Sequence, residues 1–251
     1  MEDRKEYYFL FGLKPFETLY FENKKIHFVY EHYRRMKRAF HILSIPFELS
    51  YEDFEKALSQ FVQNTTSDFG AIRIFLKDQY LFMEEREVKY NRELFKRGLR
   101  ISISKSIKFS RNILNFIKTF NMGLNVIEDE RAKKRGFDTA LFLNERGLVT
   151  ETSFGNIFFR KGRVIYTPNI LSGILPGIMR KEVIKISEEL GYEIKKIFLS
   201  LDDIKKMEEC FITNSIAGVF PVRNLGDICF TSRDFCEEVS SVEFLRRPWN
   251  E

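Results

Sequence analysis

The chain has little cysteine and tryptophan, no long apolar run and no dominant sign of charge. Its three cysteines, Cys210, Cys229 and Cys236, are odd in number and lack metal-ligand spacing. That argues against a disulfide framework and for free thiols in a reducing compartment. No apolar stretch approaches the ~20 residues that span a bilayer. The first residues, MEDRKEYYFLFGL, put charges where a signal peptide needs an apolar segment. No membrane and a cytoplasmic location are therefore expected. One tryptophan stands against 27 phenylalanines, a ratio that suits a packed core better than stacking on bases. Lys and Arg (41) exceed Asp and Glu (36) by only five. The densest basic runs, at 34–38 and 131–135, have helical periodicity and read as solvated faces. Without a compact basic-aromatic motif, nucleic acid is not an expected partner.

What is present is enough for one large domain or two small ones with a full core. Residues 7–30 read as strands (YYFLFGL, FETLYFEN, IHFVY), with a hairpin turn at Glu22-Asn23-Lys24-Lys25. Helices are expected over 31–43, with Tyr33, Met36, Ala39, Phe40 and Leu43 as the apolar stripe, and from Ser50 to about 62. A hairpin over 69–76 and 79–84 and a strand over 99–104 follow, then a connector without clear period. The remainder alternates strands (138–143, 148–151, 156–160, 163–166, 192–198, 209–213, 217–222) with helices at 125–135, 177–190, after Ser200 and near Thr231. This pattern is α+β. A domain boundary is expected near 110–118, giving a smaller domain 1–110 and a larger domain 111–251.

Several residues could carry chemistry. A helix opening at Pro176-Gly177 offers backbone N–H groups and the positive end of a dipole to an anion. Thr213-Asn214-Ser215, at a strand end, could bond phosphate oxygens. Arg35 lies one turn beyond His32, opposite the apolar stripe. Each alone has an ordinary explanation: a loop, a polar turn, a surface arginine. Glu151, after Leu148-Val149-Thr150 in a buried-looking run, needs a partner, either a protein cation or a protonated ligand nitrogen. Lys118, bracketed by Phe116, Ile117 and Phe120, could be a desolvated amine nucleophile or a snorkelling strand-edge lysine. A lysine, a buried acid and an anion site are together what pyridoxal phosphate requires.

Glu151-x-Ser153-x-x-Asn156-Ile157-Phe158, then Ile165-x-Thr167, then Leu175-x-Gly177-Ile178-x-Arg180 resembles the signature of the class IV pyridoxal-phosphate aminotransferases and their lyase relatives. FETLYF, EHYRRMKRA, IKTFN and ITNSIAGVFPV extend the resemblance over most of the chain. It implies the two-domain α+β fold of the D-amino-acid-aminotransferase type (fold type IV) and a homodimer. It also implies that Lys118 is the Schiff-base lysine and that Glu151 partners the pyridine nitrogen. Arg35, the backbone N–H groups of Ile178 and Met179, and Ser215 would hold the phosphate of pyridoxal 5'-phosphate. Leu175, Gly155 and Asn214 would line its ring. The larger domain would carry Lys118 and most of these groups.

Within the family, VTETSFGNIFFRKGRVIYTP, GIMRK and GDICFTS resemble the aminodeoxychorismate lyases more than the branched-chain or D-amino-acid aminotransferases. The implied reaction converts 4-amino-4-deoxychorismate to 4-aminobenzoate and pyruvate, for folate synthesis. The substrate is an anionic amine, and Arg73 is a candidate cation for it. Transamination of branched-chain or D-amino acids uses the same cofactor residues and stays open. Two positions depart from the pattern. Met122 falls where many relatives carry a tyrosine, and Lys14-Pro15 precedes Phe16 without the usual glycine-aspartate element.

Overall fold

A computed structural model describes residue 8 and residues 10–77 and 80–250. The chain folds as two compact units. The smaller comprises residues 1–89 and 117–122, the larger 90–116 and 123–251.

The smaller unit is built on β1 (Phe16–Glu22), β2 (Lys25–Ile26), β3 (Phe69–Lys77) and β4 (Tyr80–Arg86), in the order β2-β1-β3-β4, all antiparallel. Two helices, α1 (Val29–Ile42) and α2 (Tyr51–Gln63), cover one face. Period-two alternation decides which side chains meet them. Leu19 and Phe21 of β1 and Ile72, Ile74 and Leu76 of β3 pack with Tyr33, Met36 and Phe40 of α1 and Phe54, Leu58 and Val62 of α2. Each such side chain contributes about 1.5–3 kcal/mol through burial. Phe16, Thr18, Arg73 and Phe75 alternate with them onto the opposite face. The expected hairpin turn is present. Asn23 and Lys24 both have positive φ, the two-residue turn whose twist matches paired strands.

Two strand expectations fail here. Tyr8 and Leu10 are helical and Phe11-Gly12 forms a turn, while residues 7 and 9 lie outside the described set. IHFVY contributes only Ile26 to a strand, because Val29 already begins α1.

The larger unit holds a nine-stranded mixed sheet. Its strands are β5 (Leu99–Lys108), β6 (Thr139–Asn144), β7 (Val149–Thr152), β8 (Asn156–Lys161), β9 (Val164–Pro168), β10 (Glu193–Ile197), β11 (Glu209–Asn214) and β12 (Gly218–Leu225), with β13 (Ile228–Cys229) beside β12. The path runs β10-β9-β8-β11-β12-β5-β6-β7. Helices α3 (Arg92–Arg97), α4 (Gly123–Lys134), α5 (Ile178–Glu189), α6 (Leu201–Ile204) and α7 (Asp234–Glu238) complete it. Phe158, Phe211 and Phe235 stack in its core, with ring centroids 5.1 and 4.8 Å apart. Buried Glu209 accepts from Arg160 Nε (2.7 Å) and from the first backbone N–H groups of α7, Phe235 and Cys236 (3.0 Å each). All three cysteines are free. Burial, reinforced by the charge of Glu209, pushes the Cys210 and Cys236 thiols well up.

The units divide elsewhere than at the expected residue 110. β5 pairs in parallel with β6 and β12, which binds residues 90–116 to the larger sheet. Residues 117–122 return to β1 instead: Phe16 N donates to Lys118 O (3.1 Å), and Phe120 N to Lys14 O (3.0 Å), around a Pro15–Thr119 bridge. Lys118 thus belongs to the smaller unit.

Candidate active site

In the smaller unit, Lys118 projects from this bridge. Register places Lys118 and Phe120 on one face with Lys14 and Phe16. The Lys118 ammonium lies 4.4 Å from the centre of the Phe16 ring, and its neighbour Ile117 is buried. The half-buried lysine is therefore held on an aromatic platform rather than snorkelling freely into water. Met122 follows the bridge, with its N–H on Phe120 O at 2.7 Å.

On the helix-covered face lies a polar cluster that the sequence did not reveal. Glu17, fully buried on β1, accepts from Arg35 Nε (2.7 Å) and Nη2 (2.5 Å) and from His32 Nδ1 (2.7 Å). Burial alone would raise the Glu17 carboxyl. The charge and hydrogen bonds of Arg35, followed by those of His32, override it and bring the pKa down to about 2. Burial holds His32 below its ordinary value against the pull of Glu17. His32 is therefore neutral near pH 7 and acts through its Nδ1–H, leaving Arg35 as the main cause of the Glu17 shift. Arg35 is not the surface arginine its helix position suggests. Its fork is fixed in place by a buried carboxylate. Period-two reading of FETLYFE, which puts Glu17 inward with Leu19 and Phe21, was the available signal.

Arg73, on the other face, pairs with Glu84 at 3.2 Å, and its buried Nε has no hydrogen-bond partner among the described residues. Burial and then the nearby Arg86 charge lower its pKa, with Glu84 opposing.

In the larger unit, Glu151 sits in β7 with both carboxylate oxygens hydrogen-bonded and one acceptor position left on Oε1. Oε1 accepts from Lys108 Nζ (3.0 Å), and Oε2 accepts from Asn156 Nδ2 (3.1 Å) and Leu175 N (3.0 Å). The protein cation that Glu151 needed is Lys108, at the end of β5 and buried against the Phe142 ring (4.8 Å). Sequence reasoning passed over it because β5 runs further than expected, and an alternating SISKSIK run gives no hint which lysine turns inward. Arg180 lies near enough for Glu151 to raise its pKa, though burial is the stronger effect and lowers it. Its guanidinium donates to Pro168 O at 2.9 Å.

Around Glu151 the backbone closes in. Asn156 Nδ2 also donates to Leu175 O (3.0 Å). A Cβ on Gly177 would fall 2.0 Å from Asn156 Oδ1, and one on Gly155 would fall 3.0 Å from Thr213 O. Gly177 has no space for a side chain, and at Gly155 the strand backbone would have to give way by a few tenths of an ångström. Gly177 caps α5, whose first N–H groups, on Ile178 and Met179, have no acceptor within the helix. Both side chains are buried, so these residues offer only backbone to a ligand. Thr213, paired with Asn156 in the sheet, has a buried hydroxyl without a hydrogen-bond partner among the described residues. The Asn214 side chain is spent on local structure. Nδ2 donates to Tyr90 Oη (2.9 Å) and Phe154 O (3.2 Å), while Oδ1 accepts from Ile216 N and Ala217 N. It shapes the turn that carries Ser215, whose carbonyl accepts from Arg247 (3.1 Å).

A buried carboxylate, a glycine-capped helix start and an orphan hydroxyl form a set fitted to a ligand with a protonated nitrogen and an anionic group. Lys118, Arg35 and Arg73 belong to one unit; Glu151, Gly155, Leu175, Ile178, Met179, Asn214 and Ser215 belong to the other. Among the described residues no cluster suits a metal ion.

The family model for amino-transferase class IV matches residues 15–225, spanning this whole set. The chain belongs to the class IV aminotransferase family. Its two-unit α+β architecture is that of fold type IV. Class IV relatives carry two kinds of activity in their names. A Thermotoga maritima protein assigned as a branched-chain-amino-acid aminotransferase is 28% identical over 220 residues, covering 86% of this chain and 78% of its own. The aminodeoxychorismate lyase of Bacillus subtilis is 24% identical over 257 residues, covering 94% of this chain and 85% of its own. The crystal structure of a Legionella pneumophila protein assigned as a 4-amino-4-deoxychorismate lyase superposes with a TM-score of 0.85 at 26% identity. That alignment covers 92% of this chain and 90% of that one.

Proposed function

We propose that this class IV chain is a pyridoxal-phosphate-dependent lyase that converts 4-amino-4-deoxychorismate to 4-aminobenzoate and pyruvate. The observation that supports a cofactor of this kind best is Glu151, a buried carboxylate that Lys108, Asn156 and Leu175 orient while Oε1 keeps one acceptor position, beside a glycine-capped helix start. The likeness to the Bacillus and Legionella proteins, near full length in both directions, favours the lyase.

In this reading Glu151 faces the pyridine nitrogen and keeps a proton there. The N–H groups of Ile178 and Met179, with Arg35 and Ser215, hold the phosphate. Glu17 aligns the Arg35 fork before any ligand arrives, so little side-chain entropy is lost on binding. Leu175 and Gly155 bound the ring. When bound, pyridoxal phosphate supplies an electron sink conjugated to the substrate amine. Lys118 Nζ would hold the cofactor and, when neutral, would serve as the base. It takes the proton from the amine-bearing ring carbon and returns one to the departing enolpyruvyl oxygen. Breaking that C–O bond aromatises the ring, which supplies the driving force. The protein's share is orientation and charge.

The purified protein should show a visible cofactor chromophore that borohydride abolishes by fixing the cofactor on Lys118. A protein that cannot be reconstituted with pyridoxal phosphate would end this reading. Supplied with aminodeoxychorismate, the holoenzyme should release equimolar 4-aminobenzoate and pyruvate. The second reading, transamination of branched-chain or D-amino acids, is favoured by the 28% likeness to the Thermotoga protein. Rapid amino transfer to 2-oxoglutarate with no aromatic product would establish it instead. A cytoplasmic homodimer serving folate synthesis completes the proposal. Among the described residues no helix is long and apolar enough to cross a membrane.

A further inference from the structure

In the larger unit, the turn after β11 is held from behind by a segment that is neither helix nor strand. Along residues 242–250 alternate side chains turn inward: Leu245, Arg247 and Trp249 are buried, while Arg246 is exposed. Arg247 is only 1% exposed. Its guanidinium donates to four backbone carbonyls. Nε reaches Ile216 O (2.8 Å) and Nη2 reaches Ser215 O (3.1 Å), both in the turn. Nη1 reaches Phe244 O (3.0 Å) and Arg246 O (2.7 Å), in its own segment. A planar fork of fixed donors holds the two stretches in a set relation, as a flexible lysine would not. The segment is itself locked. Asn250 Oδ1 accepts from Arg247 N (2.6 Å), and the Trp249 ring lies 5.8 Å from that of Tyr90, whose hydroxyl takes the Asn214 amide. A Cβ on Gly218, at the far end of the turn, would meet Leu245 O at 2.9 Å. The turn does not need this brace to close, because Asn214 Oδ1 already accepts from Ile216 N and Ala217 N. What the brace adds is a fixed place for Ser215.

We propose that Arg247 is a positioning residue for the cofactor phosphate, acting through Ser215 by holding the Ser215 and Ile216 carbonyls against segment 242–250. This rests on the proposed role of Ser215 and deepens it. Released from Arg247, either carbonyl is free to swing toward the phosphate, whose charge repels it. The neighbouring Thr213, in β11, keeps a buried hydroxyl without a hydrogen-bond partner among the described residues, so the strand end retains a donor for a ligand.

Pyridoxal, the same ring without the anion, isolates the phosphate's share of binding. Apoprotein is titrated with pyridoxal phosphate and with pyridoxal, and the visible chromophore gives two dissociation constants whose ratio reads the phosphate site. Arg247→Met keeps a long apolar stem and removes the fork. It should lower the preference for pyridoxal phosphate about tenfold or more, the order of loss expected when a positioned group moves by about 1 Å, while leaving pyridoxal binding within about twofold of wild type. Ser215→Ala should lower the preference too. The double variant should fall no further than Arg247→Met alone, since residues that act through one another do not add. Asn250→Ala removes the acceptor of Arg247 N and should act in the same direction by a smaller factor; it decides the matter if Arg247→Met does not fold. Glu243→Gln, exposed on the same segment, is the control and should match wild type. An unchanged preference in the folded variant would overturn the proposal. So would equal weakening of both compounds, the mark of a purely structural brace, or fully additive losses in the double variant. A wild-type apoprotein that takes up neither compound would defeat the functional reading itself.

Discussion

The Glu17–Arg35–His32 cluster makes the sharpest quantitative prediction, because its members are buried and their pairing is direct. The Glu17 carboxyl moves from an ordinary 4.5 to about 2 on folding. At about 1.4 kcal/mol per pH unit, that depression is worth about 3 kcal/mol of stability at neutral pH. The folded-state pKa is the lower one, so this stability is present above about 4.5 and is lost as pH falls toward about 2. By the same linkage about half of it remains at pH 3. His32 acts in the same direction. Its pKa is lowered by burial, so acid favours the unfolded chain, where the imidazole protonates freely. Glu17→Gln nearly keeps the side chain's volume but leaves the Arg35 guanidinium, 12% exposed, without its carboxylate. Urea unfolding of apoprotein, followed separately at pH 7 and pH 4, should show Glu17→Gln about 3 kcal/mol less stable at pH 7 and by clearly less at pH 4. Glu17→Gln combined with Arg35→Met should recover part of the loss, since no unpaired charge remains. A destabilisation equal at both pH values, or under about 1 kcal/mol at pH 7, would refute the assignment of the shift to this pair.

Other expectations follow from single contacts. Gly177→Ala forces a Cβ against Asn156 Oδ1, so cofactor affinity measured by reconstitution should fall at least about tenfold while the far-UV spectrum stays native. Lys108→Met removes the cation from Glu151 and leaves a buried carboxylate with two hydrogen-bond donors; about 2–4 kcal/mol of apoprotein stability should be lost in thermal unfolding. Lys118→Ala should abolish turnover and the borohydride-fixed adduct while leaving the circular dichroism spectrum unchanged, and retained activity would dismiss the lysine.

How much of this was legible beforehand depended on how local the determinant is. Ser50 and Ser200 marked helix starts correctly because caps depend on a few neighbouring residues. The Asn23-Lys24 turn and the β3–β4 hairpin were readable for the same reason, although residue 79, expected to open the second strand, lies outside the described residues. YYFLFGL misled because aromatic-rich alternation at a chain start gives no information about which partner strand exists. The inward turn of Arg35 and Lys108 was illegible because each is fixed by a group 18 to 43 residues away in sequence, whereas strand alternation alone points Glu17 inward.

The sequence by itself determined the α+β class and the family signature between Glu151 and Arg180. These depend on spacing along one chain, which sequence states directly. Tertiary structure alone decided that Lys118 joins the sheet of the smaller unit, that Lys108 answers Glu151 and that Glu17 holds Arg35. It alone brought Arg247 against the turn that carries Ser215. Those depend on strand register and on the cost of burying charge, and a buried charge takes whatever partner the fold brings within reach.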